Sequence, residues 1–280
     1  MMKRRDAISL LIFLAVLSVL YYGPVVSMVG EWYTDENYSH GFLIPLISGY
    51  LAWQRRDAIA KSPISPANTG IIFVALGLML FLLGNVAGEN FSMRFSLLVV
   101  VAGAIIFAYG YGFFGSMLFP YMYLFFMLPL PFILYDAVAF PLKLMVTDYS
   151  VAALKLFGIP VLRDGNIIEL TNITLEVADA CSGIRSIVSL LALSTAFAYF
   201  TQEGLLKRLI LVSLAIPIAI IANAIRVIGT GFLASKIGAA AAQGFFHEFA
   251  GLVIFGIAIV MLIAAAYVLK KISFGAKGNG

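Results

Sequence analysis

Three residues of this 280-residue chain have the side chains needed for nucleophilic chemistry on a carbonyl group: Cys181, Arg226 and His247. Cys181 is the only cysteine, so no disulfide can form within one chain and the thiol counts as a potential nucleophile. It stands at the start of a long apolar run, where the positive end of a helix dipole would lower the thiol pKa and favour the thiolate. His247 can complete a nucleophile–base pair. Arg226 is permanently charged, and its donor fork could hold the oxyanion of a tetrahedral intermediate. Asn223, three residues earlier on the same helical face, could orient it. Taken singly, each residue has a plainer reading. A lone cysteine packs like a small apolar residue, an arginine at a helix end satisfies the dipole, and a histidine can simply open an interfacial helix.

What would unite the three is depth in a membrane. The chain is 62% hydrophobic and 11% charged, which excludes a water-soluble core-and-surface arrangement. Uncharged runs long enough to cross a hydrocarbon layer of about 30 Å recur along it, in the pattern of helices rather than of an alternating barrel. The expected fold is an all-α polytopic bundle, a single transmembrane domain over residues 1–280. Eight spans are expected, near 7–29, 38–54, 67–88, 95–111, 115–135, 182–201, 209–230 and 248–269. Glycines at 110, 112 and 115 mark the reversal that divides the run from Phe95 to Tyr135 into two. The first run lacks a small-residue cleavage site and is expected to be retained.

Lys and Arg of short loops stay on the cytoplasmic side. With the N-terminus inside, the cytoplasmic segments hold Lys3, Arg4, Arg5, Arg55, Arg56, Lys61, Lys207, Arg208, Lys270, Lys271 and Lys277, against only Asp6, Asp57 and Glu203. Cys181 then lies at the outer start of the sixth span, Arg226 at the outer end of the seventh and His247 at the outer start of the eighth. Nucleophile, cation and base from three helices share one layer. Arg185, one turn from Cys181, could replace Arg226, and His40 at the outer start of the second span could replace His247. Ser182, beside the thiol, is a further supporting or substrate-binding candidate. Glu176 and Asp179 would raise a nearby thiol pKa, so a solvated or substrate-contacting role suits them better. The basic clusters are topology signals rather than a nucleic-acid surface. No ligand pair at zinc-like spacing and no phosphate-binding glycine loop is present, so neither a metal nor another cofactor is expected.

Residues 136–180 form the only long polar segment, and this topology exports it. Its first part, with Lys143, Asp148 and Lys155 among apolar residues, suits a helix lying in the interface. Asp164-Gly165 is a turn signal, and the β-prone runs 166–170 and 173–177 suit a small hairpin.

The run Ala178-Asp-Ala-Cys-Ser-Gly-Ile-Arg-Ser186 resembles the exosortase/archaeosortase family of membrane transpeptidases. The resemblance continues through Asn223-Ala-Ile-Arg226 and His247-Glu-Phe-Ala-Gly251, in the family's order of cysteine, arginine and histidine. Tyr38-Ser-His-Gly-Phe-Leu-Ile-Pro45 and Gly158-Ile-Pro-Val-Leu-Arg-Asp-Gly165 extend it over nearly the whole chain. It implies an enzyme that cleaves exported proteins near a C-terminal sorting signal made of a Pro-Glu-Pro-like motif, a transmembrane helix and a basic tail. It further implies a thioester on Cys181, His247 as proton shuttle, Arg226 as anion stabiliser and acyl transfer to a membrane-linked acceptor. Histidine as third member fits the bacterial members, which implies a bacterial inner membrane and a link to exopolysaccharide. Leu128-Pro-Leu-Pro131 and the hairpin at 161–178 are the expected walls of the substrate groove.

Two readings from other classes compete. A polysaccharide transporter or channel would carry charges near the bilayer centre, and a noncatalytic assembly scaffold would leave Cys181 dispensable. The topology that underlies the shared layer is directly testable. An alkaline-phosphatase fusion after Gly165 is expected to be active and one after Arg208 inactive; the opposite pattern would dissolve the layer.

Overall fold

The computed structural model describes residues 4–171, 173–177, 184–238 and 245–272. It is helical throughout, apart from one small sheet, and divides into two compact units, residues 1–131 and 132–280. Large apolar side chains such as Val19, Leu82, Val86 and Ile133 point outward. A surface of that kind is stable only with lipid as its solvent.

The first unit opens with α1 (Arg4–Thr34), followed by a single 3-10 turn (Ser39–Phe42), α2 (Leu43–Gln54) and α3 (Arg56–Ala60). Next come α4 (Gly70–Ala87) and α5 (Asn90–Tyr109), which pack together along their whole length. Gly70, Gly77 and Gly84 recur every seventh residue, so they line one stripe of α4 facing α5. A Cβ at Gly70 would come within 2.4 Å of the Phe107 backbone nitrogen, and one at Gly77 within 2.6 Å of Val100. The joint is closed by Glu89, whose carboxylate caps α5 by accepting from the Phe91 and Ser92 amides at 2.8 and 2.6 Å. Arg94, fully buried, donates to Glu31 of α1 at 2.8 and 2.5 Å and to Ser27 at 3.0 Å.

The expected fifth span, 115–135, is not one helix. It is replaced by α6 (Tyr111–Ser116), α7 (Leu118–Tyr123) and a 3-10 turn (Leu124–Met127). Gly110 adopts a left-handed φ of 87°, with its backbone so close to the Ser65 carbonyl that no Cβ would fit. Pro120, Pro129 and Pro131 then remove donors that a continuous helix needs. Among the described residues, six helices are long and apolar enough to cross a membrane, where eight spans were expected, and Leu118–Met127 and Arg185–Thr201 are shorter apolar segments. The expected second span is also short, since α2 begins only at Leu43.

The second unit begins with α8 (Phe132–Leu156), so the expected boundary of the polar segment at 136 falls inside a continuous helix. An antiparallel meander follows, β1 (Val161–Asp164), β2 (Ile167–Leu170) and β3 (Ile173–Glu176). The expected hairpin is β2–β3, with Leu170 opposite Ile173, and β1 adds an unexpected third strand, with Val161 opposite Leu170. Alternation buries Ile168 and Leu170 against Val146, Val151 and Leu154 of α8. Three mutually packed helices complete the unit: α9 (Ile184–Thr201), α10 (Leu205–Ile237) and α11 (Phe245–Lys271). Buried alanines at 215, 219, 222 and 258 let them approach around Leu190, Leu211 and Leu262.

If the glycine stripe sets the distance between α4 and α5, Gly77→Leu must push them apart, at a cost of about 1–3 kcal/mol. Lower thermal stability in detergent is expected for Gly77→Leu but not for Gly49→Ala, where open space surrounds the backbone.

Candidate functional site

The level of the candidate residues is set from the opposite end of the bundle. Gln202 is buried and its side-chain amide donates to the Ala266 carbonyl of α11 at 2.9 Å, while its backbone carbonyl accepts from Arg208 Nε of α10 at 3.0 Å. The Arg208 guanidinium lies over the Tyr199 ring at 5.0 Å, and the Lys271 ammonium over Tyr267 at 4.4 Å. These contacts pin α9, α10 and α11 in register where the basic residues and aromatic rings gather, as they do at a membrane interface.

From that knot, helical rise fixes what lies at the other end. Counting about 1.5 Å per residue, Arg226 stands roughly 27 Å beyond Arg208, Ile184 roughly 27 Å beyond Gln202 and His247 roughly 29 Å beyond Ala266. The three distances agree, and they match the thickness of the hydrocarbon layer, about 30 Å. A helix of 33 residues is about 50 Å long, so α10 extends well past that layer. This corrects the expected span of 209–230, and the extra turns carry the sheet. Gly231 receives Leu154 of α8, and Val227 and Ala234 join the apolar face shared with the strands. Sheet and candidate residues therefore lie on the same side of this unit.

Within the layer, the Arg226 guanidinium lies against the backbone of α11. A Cβ built at Gly251 would meet Nη2 at 3.3 Å, Cζ at 3.5 Å and Nη1 at 3.9 Å. Three such similar distances mean that the flat group rests broadside on the bare helix surface. His247 is four residues before Gly251, one turn away on the same face of α11. Arg226 and His247 are thus brought to adjoining turns of neighbouring helices. Asn223, buried, lies three residues before Arg226 on α10. Arg185, half-buried, lies in the first turn of α9.

Cys181 and Ser182 lie outside the described residues, as does the side chain of His247. Cys181 is three residues before Ile184 in sequence, at the end of α9 that belongs to the layer. His40 belongs to the other unit, in the 3-10 turn before α2. Burial lowers its pKa from the ordinary histidine value, against hydrogen bonds with the backbone of Phe126 and Asn37 that pull it up, so the ring is neutral near pH 7. Its neighbours are braced by Trp32, which donates to the Met127 carbonyl at 2.9 Å.

One pair of charged residues escaped the sequence reading. The expected start of the fourth span at 95 left Arg94 in a loop, yet it lies in the first turns of α5, buried and paired with Glu31 near the end of α1. The pair sits toward the helix ends rather than mid-span, as suits a structural tie better than a transport pathway. Apolar residues on both sides hid it; the usable signal was that Arg94 is a cation beside an apolar run on the side where Glu31 and other acids gather.

Beside the sheet, a cavity of about 300 Å³ is lined by Phe157, Pro160, Thr171, Ile173, Phe232 and Lys236. It borders the strands expected to wall a substrate groove.

A sequence model of one protein family, described as transmembrane exosortase, matches residues 32–264. No curated protein and no solved structure matches the chain.

Proposed function

The chain belongs to the transmembrane exosortase family, and from that premise we propose that it is a cysteine-dependent transpeptidase cutting exported proteins at the outer face of a bacterial inner membrane. The substrate class is an exported protein ending in a Pro-Glu-Pro-like motif, a transmembrane helix and a basic tail. A substrate held by its own helix delivers the scissile bond to the membrane surface, which replaces a search in three dimensions by a confined one. The observation that carries the reading is the contact of the Arg226 guanidinium with Gly251, one turn from His247, in the layer where α9 begins after Cys181.

In the proposed cycle the Cys181 thiolate attacks the scissile carbonyl carbon, and the carbonyl oxygen becomes an oxyanion facing Arg226. Collapse of this intermediate breaks the C–N bond, with His247 giving a proton to the leaving amine, and leaves a thioester on Cys181. An acceptor nucleophile, on a membrane lipid or lipid-linked molecule, then loses its proton to His247 and attacks the thioester, which frees the thiolate. Asn223 orients Arg226, and Arg185 and Ser182 assist or contact substrate. The groove beside the sheet receives the exported part of the substrate. The reaction needs no metal and no other cofactor, and the envelope process it serves is exopolysaccharide assembly. Residues 1–280 act as a single domain in this reading.

Loss of the thiol tests the enzyme class. Cys181→Ser and Cys181→Ala are both expected to stop processing of a co-expressed reporter carrying such a C-terminal signal, at unchanged protein levels. Unchanged processing in both would make the thiol a packing residue and leave a scaffold or transporter.

The two arginines are separated by geometry. Arg226→Lys keeps the charge but loses the planar fork, so turnover is expected to fall about 10²-fold or more. Arg185→Lys is expected to be milder. Processing rates normalised to enzyme abundance decide it, and a dead Arg185→Lys beside a near-normal Arg226→Lys would reverse the roles.

A further inference from the structure

We infer that Gly251 is a positioning residue for the reaction: its bare backbone is the surface on which the Arg226 guanidinium is held flat and at a fixed depth. The inference rests on the transpeptidase reading and adds a residue that carries no functional group. The starting observation is how closely the two helices approach at this point. A Cβ at position 251 would lie 3.3 Å from Nη2 and 3.5 Å from Cζ of Arg226, tighter than ordinary van der Waals contact for the first and at its limit for the second. Even a methyl group therefore moves the guanidinium by a few tenths of an ångström or tilts it off the helix.

Such a shift matters more for an oxyanion donor than for a packing residue. Donors that stabilise a developing negative charge act through hydrogen bonds of about 2.7–3.1 Å to a position the oxygen reaches only in the transition state. A small displacement weakens that interaction while leaving ground-state binding of a membrane-tethered substrate nearly intact. Plain helix packing does not account for the residue equally well. Gly256, on the same helix, has open space where its Cβ would be, so α11 does not need glycine in order to fold beside its neighbours. Glycine is also a poor helix former, and alanine at either position favours the helix itself. What distinguishes position 251 is the arginine lying on it.

The experiment uses the purified full-length chain in proteoliposomes, with a reporter protein ending in a Pro-Glu-Pro motif, an apolar helix and an arginine tail, at several reporter densities. Gly251→Ala is expected to lower kcat about 10-fold and to change KM less than twofold, whereas Gly256→Ala leaves both at the wild-type values. In an Arg226→Lys background, where no flat group rests on the helix, Gly251→Ala is expected to cost less than a further twofold. A purely structural role would instead lower abundance or give the same fold loss in both backgrounds, and either result overturns the inference, as does a Gly251→Ala variant as fast as Gly256→Ala. If the wild-type chain leaves the reporter intact, the transpeptidase reading itself falls and takes the inference with it; Cys181-dependent processing with additive effects at 251 overturns the inference alone.

Discussion

A guanidinium at the edge of a hydrocarbon layer is held in one place under two conditions: its charge reaches water or a partner, and its planar face finds a close fit. Arg226 meets the second condition against Gly251, where α11 offers backbone and no side chain. The contact fixes α10 relative to α11 at one end, while Gln202 and Arg208 fix α9, α10 and α11 at the other. With both ends held, the rise of the helices decides which residues share a level. Three helices of equal effective length bring the end of α9 that follows Cys181 to the turns that bear Arg226 and His247.

The first unit uses a different device. There a row of glycines, rather than alanines, sets the helix separation, and α4 and α5 approach until backbone meets backbone. The buried Arg94–Glu31 pair then ties α1 to this hairpin. Arg94 is buried while the Glu31 side chain is 34% exposed, so losing the carboxylate would leave a buried guanidinium uncompensated. The two contacts differ in what meets the guanidinium: a carboxylate pairs with Arg94, and the Gly251 backbone lies against the flat group of Arg226.

Much of this architecture was legible in the sequence. Uncharged runs marked six of the crossing or near-crossing helices to within a few residues, because lipid leaves the backbone no alternative to helix there. Asp164-Gly165 and the β-branched runs after it revealed β2 and β3. β1 was missed because Val161-Leu-Arg-Asp164 has no strict alternation and gains its burial only from α8. The segment 115–135 was read as one helix because apolar content outweighed Pro120, Pro129 and Pro131, whose effects are local. The length of α10 was underestimated because Gly229, Thr230, Gly231 and Ser235 lower the hydropathy where the helix leaves lipid and meets the sheet. The place of Arg226 well along the helix that carries it was legible, since the uncharged run from Leu209 reaches it without a break. Its seat on Gly251 was not, since contact between helices distant in sequence leaves no mark in a single chain.

The central claim is that Cys181 and His247 meet in one layer at the outer membrane face, and a distance decides it. Because Cys181 is the only cysteine, one added cysteine gives a defined pair for nitroxide labelling in a His247→Cys variant. Allowing for the label arms, electron paramagnetic resonance in lipid is expected to give a separation of no more than about 20 Å, clearly less than the roughly 30 Å hydrocarbon thickness. A separation of about 30 Å or more would place the two residues at different levels and contradict the site.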